Sequence, residues 1–194
     1  MTDEPLFQKH SLHGLTTANL AEAKAEVNRL SRDQLKEADL QTALDRIVKN
    51  RTLECPKLDA TNKTGKRTDK TIRFDDFGEI RTRTISMIEV TIPFSGEAQG
   101  FEIRPNQGTI HYGLRATIGK NQITFDVTGE SPADTQAAVN TFIDQMTQML
   151  DQMRPDIEKY NEDLKTTVSA ASRARLEQIS AERDRDSGLD FRVD

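Results

Sequence analysis

The stretch Ile88-Glu89-Val90-Thr91-Ile92-Pro93-Phe94 decides the fold. Apolar residues fall at every second position, and successive side chains of a strand point to opposite faces, so this segment reads as a strand with one buried face. Pro93 has no N–H for a ladder, which predicts a strand end or a sheet edge there. Toward the C-terminus, Ile110, Tyr112, Leu114, Ala116 and Ile118 share one parity, and Ile123, Phe125 and Val127 share another after Gly119-Lys120-Asn121. These two runs predict a hairpin with a short glycine-containing loop. Phe101 with Ile103, and the segment 71–74, add short strands, while Asp75-Asp76 before Gly78 marks a turn. Neighbouring strands with short connections pair antiparallel, so residues 53–130 are expected to form an antiparallel sheet of about four to six strands.

On both sides of this segment the apolar period changes from two to that of a helix. In residues 1–52, Thr16 or Thr17 is placed to cap a helix carrying Leu20, Ala23 and Val27. Ser31 with Gln34 reads as a capping box opening a second helix, in which Leu40, Leu44, Ile47 and Val48 form one stripe. A one-sided stripe needs a partner surface, and the sheet is the expected one. In residues 131–194, Ser131-Pro132 supplies an N-cap and a first-turn proline. Val139, Phe142, Met146, Met149, Met153, Tyr160 and Leu164 then recur at helical spacing, widened by Ile143, Leu150 and Ile157. Pro155 predicts a kink or break near Arg154, which leaves either one long helix or a helical hairpin. The expected class is therefore α+β: N-terminal helices, an antiparallel sheet, and long amphipathic C-terminal helices.

Such a long helix has more apolar surface than a small sheet can cover. Val139, Phe142, Met146, Met149, Leu150, Met153 and Ile157 are accordingly the candidate protein interface, toward further copies of the chain or a separate effector chain. The competing reading is that the same stripe covers the sheet within one chain, most of all up to Met153.

With 27 basic against 32 acidic residues, the formal charge of −5 excludes a protein that coats nucleic acid over its whole surface. A local strip remains: Lys57, Lys63, Lys66, Arg67, Lys70 and Arg73 share a Thr-rich stretch with only Asp59 and Asp69 as acids. Lys63, Lys66, Arg67, Lys70 and Arg73 are the candidate nucleic-acid contacts, against the plainer reading of a solvated loop. No aromatic side chain interleaves with them, which argues against stacking on single-stranded bases. The single cysteine, Cys55, cannot form an internal disulfide and is expected to be a buried small residue. No run approaches the roughly 20 apolar residues of a membrane helix, and the N-terminus lacks the order of a signal peptide, so a cytoplasmic protein is expected.

Catalytic patterns fail on spacing. His10 and His13 lack enough further ligands for zinc. Thr64-Gly65-Lys66 lacks the earlier glycine of a phosphate loop, since Ala60 stands there. Glu22-Ala23-Lys24 has the letters of a nuclease motif but lies in a helix, where it cannot join carboxylates from adjacent strands around magnesium. Asp75 and Asp76 more often mark a turn than hold a hard cation. No catalytic, cofactor or metal residue is assigned, and the chain is expected not to be an enzyme.

Several segments in order carry a family resemblance: Ser31-Arg32-Asp33-Gln34-Leu35, Ile92-Pro93-Phe94-Ser95-Gly96, Phe101 with Ile103-Arg104-Pro105, Asp156-Ile157 leading to Tyr160-Asn161 and Leu164, then Arg173, Arg175 and Leu176, and Gly188-Leu189-Asp190-Phe191. The chain resembles the N-terminal module of a bacterial defence-associated family in which that module precedes a restriction-endonuclease-like domain. The resemblance implies a non-catalytic front end, an adaptor or sensor of an anti-phage assembly that positions or regulates an effector such as a nuclease. It places the end of the module near Phe191, so the nuclease is expected in another chain or in a part removed from this one.

Overall fold

The structure is a computed structural model that describes residues 4–31, 34, 35 and 37–186. It is an α+β protein. In chain order the elements are β1 (Glu4–Pro5), β2 (His10–Ser11), α1 (Leu12–Asn28), α2 (Glu37–Arg51), β3 (Lys57–Leu58), β4 (Thr64–Asp76), β5 (Glu79–Ser95), β6 (Ile103–Arg104), β7 (Arg115–Ile118), β8 (Gln122–Val127) and α3 (Pro132–Asp186). They divide into two compact units, one made of Met1–Leu12 with Glu54–Pro155, the other of His13–Leu53 with Asp156–Asp194. These units cut the chain differently from the three segments read in the sequence, because α3 contributes to both.

In the first unit β5 is the organising strand. The sheet order is β1-β7-β8-β5-β3, with β4 also paired to β5, and every pairing in this sheet is antiparallel. Val90 stands opposite Phe125 and Ile92 opposite Ile123, so the period-two residues of both strands lie on one face and are buried. Val139, Ile143, Met146, Met149, Leu150 and Met153 of α3 are buried in the same unit. Phe142 stacks on Phe125 at a centroid distance of 3.8 Å, which seats the helix on that face. A second cluster forms where Phe101 meets Phe94 edge-on at 4.9 Å and Phe7 at 6.2 Å. The Phe7 N–H also donates to the Phe101 carbonyl at 2.7 Å, tying the N-terminal segment to this cluster.

Three strand expectations need correction. The run from Ile110 to Ile118 is a strand only over Arg115–Ile118, since Gly113 takes φ 102°, a left-handed value that ends extended backbone; Tyr112 stands exposed. Phe101 lies in a 3-10 turn (Ala98–Glu102), and only Ile103 of that pair is in a strand. Segment 71–74 is the middle of the 13-residue strand β4. Pro93 is found inside β5, two residues from its end and opposite Gln122.

In the second unit α1, α2 and the C-terminal part of α3 pack as helices. Arg51 at the end of α2 reaches Glu22 at 2.6 Å and also Glu26, both on α1. The Tyr160 hydroxyl of α3 donates to the Arg51 carbonyl at 2.6 Å. Asn161 both accepts from the Leu53 N–H (3.1 Å) and donates to the Leu53 carbonyl (3.0 Å), closing the chain end of α2 onto α3. Ala23, Val27, Ala43, Ile47, Ile157, Leu164 and Val168 are among its buried residues. The stripe of α2, for which the sheet was the expected cover, thus belongs to a helical unit. Helix α1 begins at Leu12, a turn before Thr16, whose hydroxyl donates instead to the His13 carbonyl. The Ser31 and Gln34 pair makes the reciprocal bonds of a capping box, at 3.0 and 3.3 Å. Residues 32 and 33, and the run Gly188 to Phe191, lie outside the described residues.

Glu97, in the turn after β5, offers a pH test of the first unit. Glu97 is exposed, but partial desolvation of its carboxyl, reinforced by the Glu54 carboxylate, holds it above the ordinary value of 4.5, although the Glu54 backbone N–H pulls the other way. A raised folded-state value means that the native chain binds the extra proton, so stability is lost as pH rises from 4.5 through the folded value. Glu97→Gln should therefore melt higher than wild type at pH 7, and that gap should close by about pH 4 in thermal melts.

Candidate interaction surface

The helix stripe is the first place to look for a contact surface, and it is already covered. Met146, Met149 and Met153 are 0% exposed, and Val139, Leu150 and Ile157 are also buried; Phe142 is half-buried against Phe125. The expectation of an uncovered apolar stripe is corrected: within a single chain, Val139 to Met153 belong to the core of the sheet unit and Ile157 to that of the helical unit. Helix α3 runs unbroken through Pro155, so no break sheds its C-terminal turns. Apolar spacing reports that a face is covered but not by what.

Exposed apolar surface lies elsewhere, on a ribbon that reads as ordinary polar chain. Strand β4 pairs with β5 from Thr64 opposite Thr91 to Asp76 opposite Glu79, while β8 covers β5 only over residues 88–93. Residues 68–87 therefore form a two-stranded arm about 30 Å long with no strand on either side among the described residues. None of its described residues is buried. Its tip is a two-residue turn in which Phe77 (φ 54°) and Gly78 (φ 90°) both take the left-handed conformation required by a type I′ hairpin. Asp75 steadies the turn by accepting the Gly78 N–H at 2.7 Å.

Glycine occupies φ 90° without cost, whereas an aromatic residue in the left-handed region is costly by about 1–2 kcal/mol. That residue also points outward. Phe77 is 103% exposed and Ile80 77%, with Phe74 nearby at 41%. Among the described residues these are three of five large apolar side chains standing exposed, the others being Tyr112 and Leu176. Three such residues stand at one tip, and one of them, Phe77, is the aromatic in the left-handed region.

The charges follow the ribbon's period. Lys66 and Lys70 lie on one face of β4, Arg67 and Arg73 on the other, and Lys63 precedes the strand with its ammonium donating to the Ala60 carbonyl. The basic stretch expected as a solvated loop or phosphate-contacting strip is thus a strand, and its cations are divided between two faces. Lys70 pairs with Asp126 of β8, and Arg81 bridges Asp76 (2.9 Å) and Glu79 (3.2 Å). Lys66, Arg67, Arg73 and Arg83 form no ion pair among the described residues.

At the root of the arm lies an open cleft of about 520 Å³ in the first unit, floored by Val90, Val127 and Val139 and edged by Gly65, Arg67 and Pro132. No group of three or more His, Cys, Asp or Glu able to hold a metal occurs among the described residues. Cys55 is half-buried, its thiol donating to the Leu150 carbonyl at 3.4 Å. Among the described residues no helix is long and apolar enough to cross a membrane.

Fold and surface together define an α+β protein that carries a long β-arm with an apolar tip. Comparison of the chain with protein-family models, curated proteins and solved structures finds no match.

Proposed function

We propose that the protein is a non-catalytic interaction module whose contact element is the β4–β5 arm, acting as adaptor or scaffold for a separate effector chain. The single observation that supports this reading is the exposed trio Phe74, Phe77 and Ile80 at the end of a two-stranded ribbon, with an aromatic residue, Phe77, at a turn position where the left-handed backbone favours glycine. The resemblance to the front module of a nuclease-bearing bacterial defence family gives the setting, a cytoplasmic anti-phage assembly with the effector on another polypeptide. The contact then lies on the arm, because the C-terminal stripe is occupied by the chain's own core.

A second reading, nucleic-acid contact through Lys63, Lys66, Arg67, Lys70 and Arg73, is favoured by the absence of ion partners for Lys66, Arg67 and Arg73 among the described residues and weakened by the division of these cations between two faces. One affinity experiment from the source cell separates the two. Phe77→Ser with Ile80→Ser should lose a stoichiometric protein partner that the wild-type chain retains through nuclease treatment and high salt. Equal retention by the tip variant would remove the arm from the account. A retained nucleic acid that dissociates steeply with salt would install the second reading in its place.

A further inference from the structure

The free edge of β4 is the most unusual feature left unexplained. A 13-residue exposed edge strand offers a row of unpaired N–H and C=O groups, which proteins ordinarily shorten, bend or cover. Here the two-residue turn makes Asp76 and Glu79 the first hydrogen-bonded pair of the hairpin. Even-numbered residues of β4 then bond inward to β5, and odd-numbered ones turn their backbone groups to the open edge.

We infer that this edge binds a second copy of the chain, β4 against β4 in antiparallel register about Thr71, to form a two-fold dimer through the arms. This rests on the reading of the arm as the contact element and adds its occupant. The argument is charge order. A two-fold axis through the sheet sets residues of like parity opposite each other, which leaves registers centred on Thr71 or on its neighbours. Centred on Thr71, Arg67 faces Asp75, Asp69 faces Arg73 and Lys66 faces Asp76, each pair occurring twice, so six opposite-charge pairs form. Centred on Lys70, that lysine meets its own copy and Arg67 meets Arg73. Centred on residue 72, Asp69 meets Asp75. Of these three registers, only the one centred on Thr71 is free of like-charge opposition.

The remaining charges fit the same arrangement. Lys70 keeps Asp126 of its own chain, and Asp76 is shared between Arg81 and the incoming Lys66. Thr71, Asp69 and Arg67 are odd-numbered, so the backbone groups at the centre of the junction are those directed outward. The register also sets Phe77 of one copy level with Gly65 of the other, at the two ends of the junction.

Native mass and sedimentation over a range of concentrations test this with the full chain. Wild type should run at twice its 21.9 kDa chain mass. Arg67→Asp sets two like-charge pairs in the junction and should raise the dissociation constant roughly tenfold or more. Asp75→Arg should do the same, and Arg67→Asp combined with Asp75→Arg should restore the dimer. Thr71→Pro, which removes an outward N–H at the centre of the edge, should give monomers with an unchanged melt of the body. A wild-type chain of single mass throughout, a dimer indifferent to these changes, or a double variant that stays monomeric would overturn the inference. The effector reading stands or falls separately, on the tip variant's partner capture.

Discussion

Met146→Asp should abolish cooperative folding of the sheet unit. The side chain is 0% exposed, between Ile143 and Met149 on the face of α3 seated by Phe142 on Phe125. Read as interface, the substitution would separate copies of an otherwise intact protein. Read from the structure, it buries a carboxylate without a partner, and the cost of about 4 kcal/mol or more approaches the whole stability of an ordinary domain. Near-ultraviolet circular dichroism and urea unfolding distinguish the two: a flat unfolding profile is expected. Met146→Leu, which keeps volume and polarity, should cost less than about 1.5 kcal/mol. A folded Met146→Asp chain whose only change is in native mass would show that the methionine stripe is an interface after all.

Phe101→Ala should cost about 3–5 kcal/mol. Phe101 is 0% exposed and stands between the Phe7 and Phe94 rings, and its carbonyl receives the Phe7 N–H. Truncation opens a cavity that these neighbours cannot close, because Phe94 is held in β5 and Phe7 by its backbone bond. The expected readout is a lower urea midpoint with the slope retained, since the surface exposed on unfolding hardly changes. An equal midpoint would mean that the N-terminal segment is not part of the folded unit.

The parts of the fold that were legible are those whose pattern is local. Ile88 to Phe94 and Ile123 to Val127 alternate because each strand buries one face, and both are strands, with Val90, Ile92, Phe94, Ile123, Phe125 and Val127 buried and Ile88 half-buried. The Asp75-Asp76 and Gly78 signal named a turn, and the chain turns there. The run 110–118 shows where pattern misleads: its parity continues through a left-handed glycine at 113 that no periodicity reveals. The arm was hidden for a different reason. Its two faces are both exposed, so it lacks apolar alternation, and charges at consecutive positions look like loop. Its trace in the sequence is weaker, in the threonines and isoleucines of 80–88 that favour extended chain and in a turn midway between two polar runs.

The residues alone settled the class of the elements, because helical and strand periods are properties of neighbouring positions: an antiparallel sheet between helices, with a long amphipathic helix at the end. Which surface covers the stripe of α3 was beyond them. Burial is a relation between segments far apart in the chain, and the same spacing of methionines serves a core or an interface equally. Folding consumed that stripe and left the β4 edge and the Phe77 tip uncovered instead.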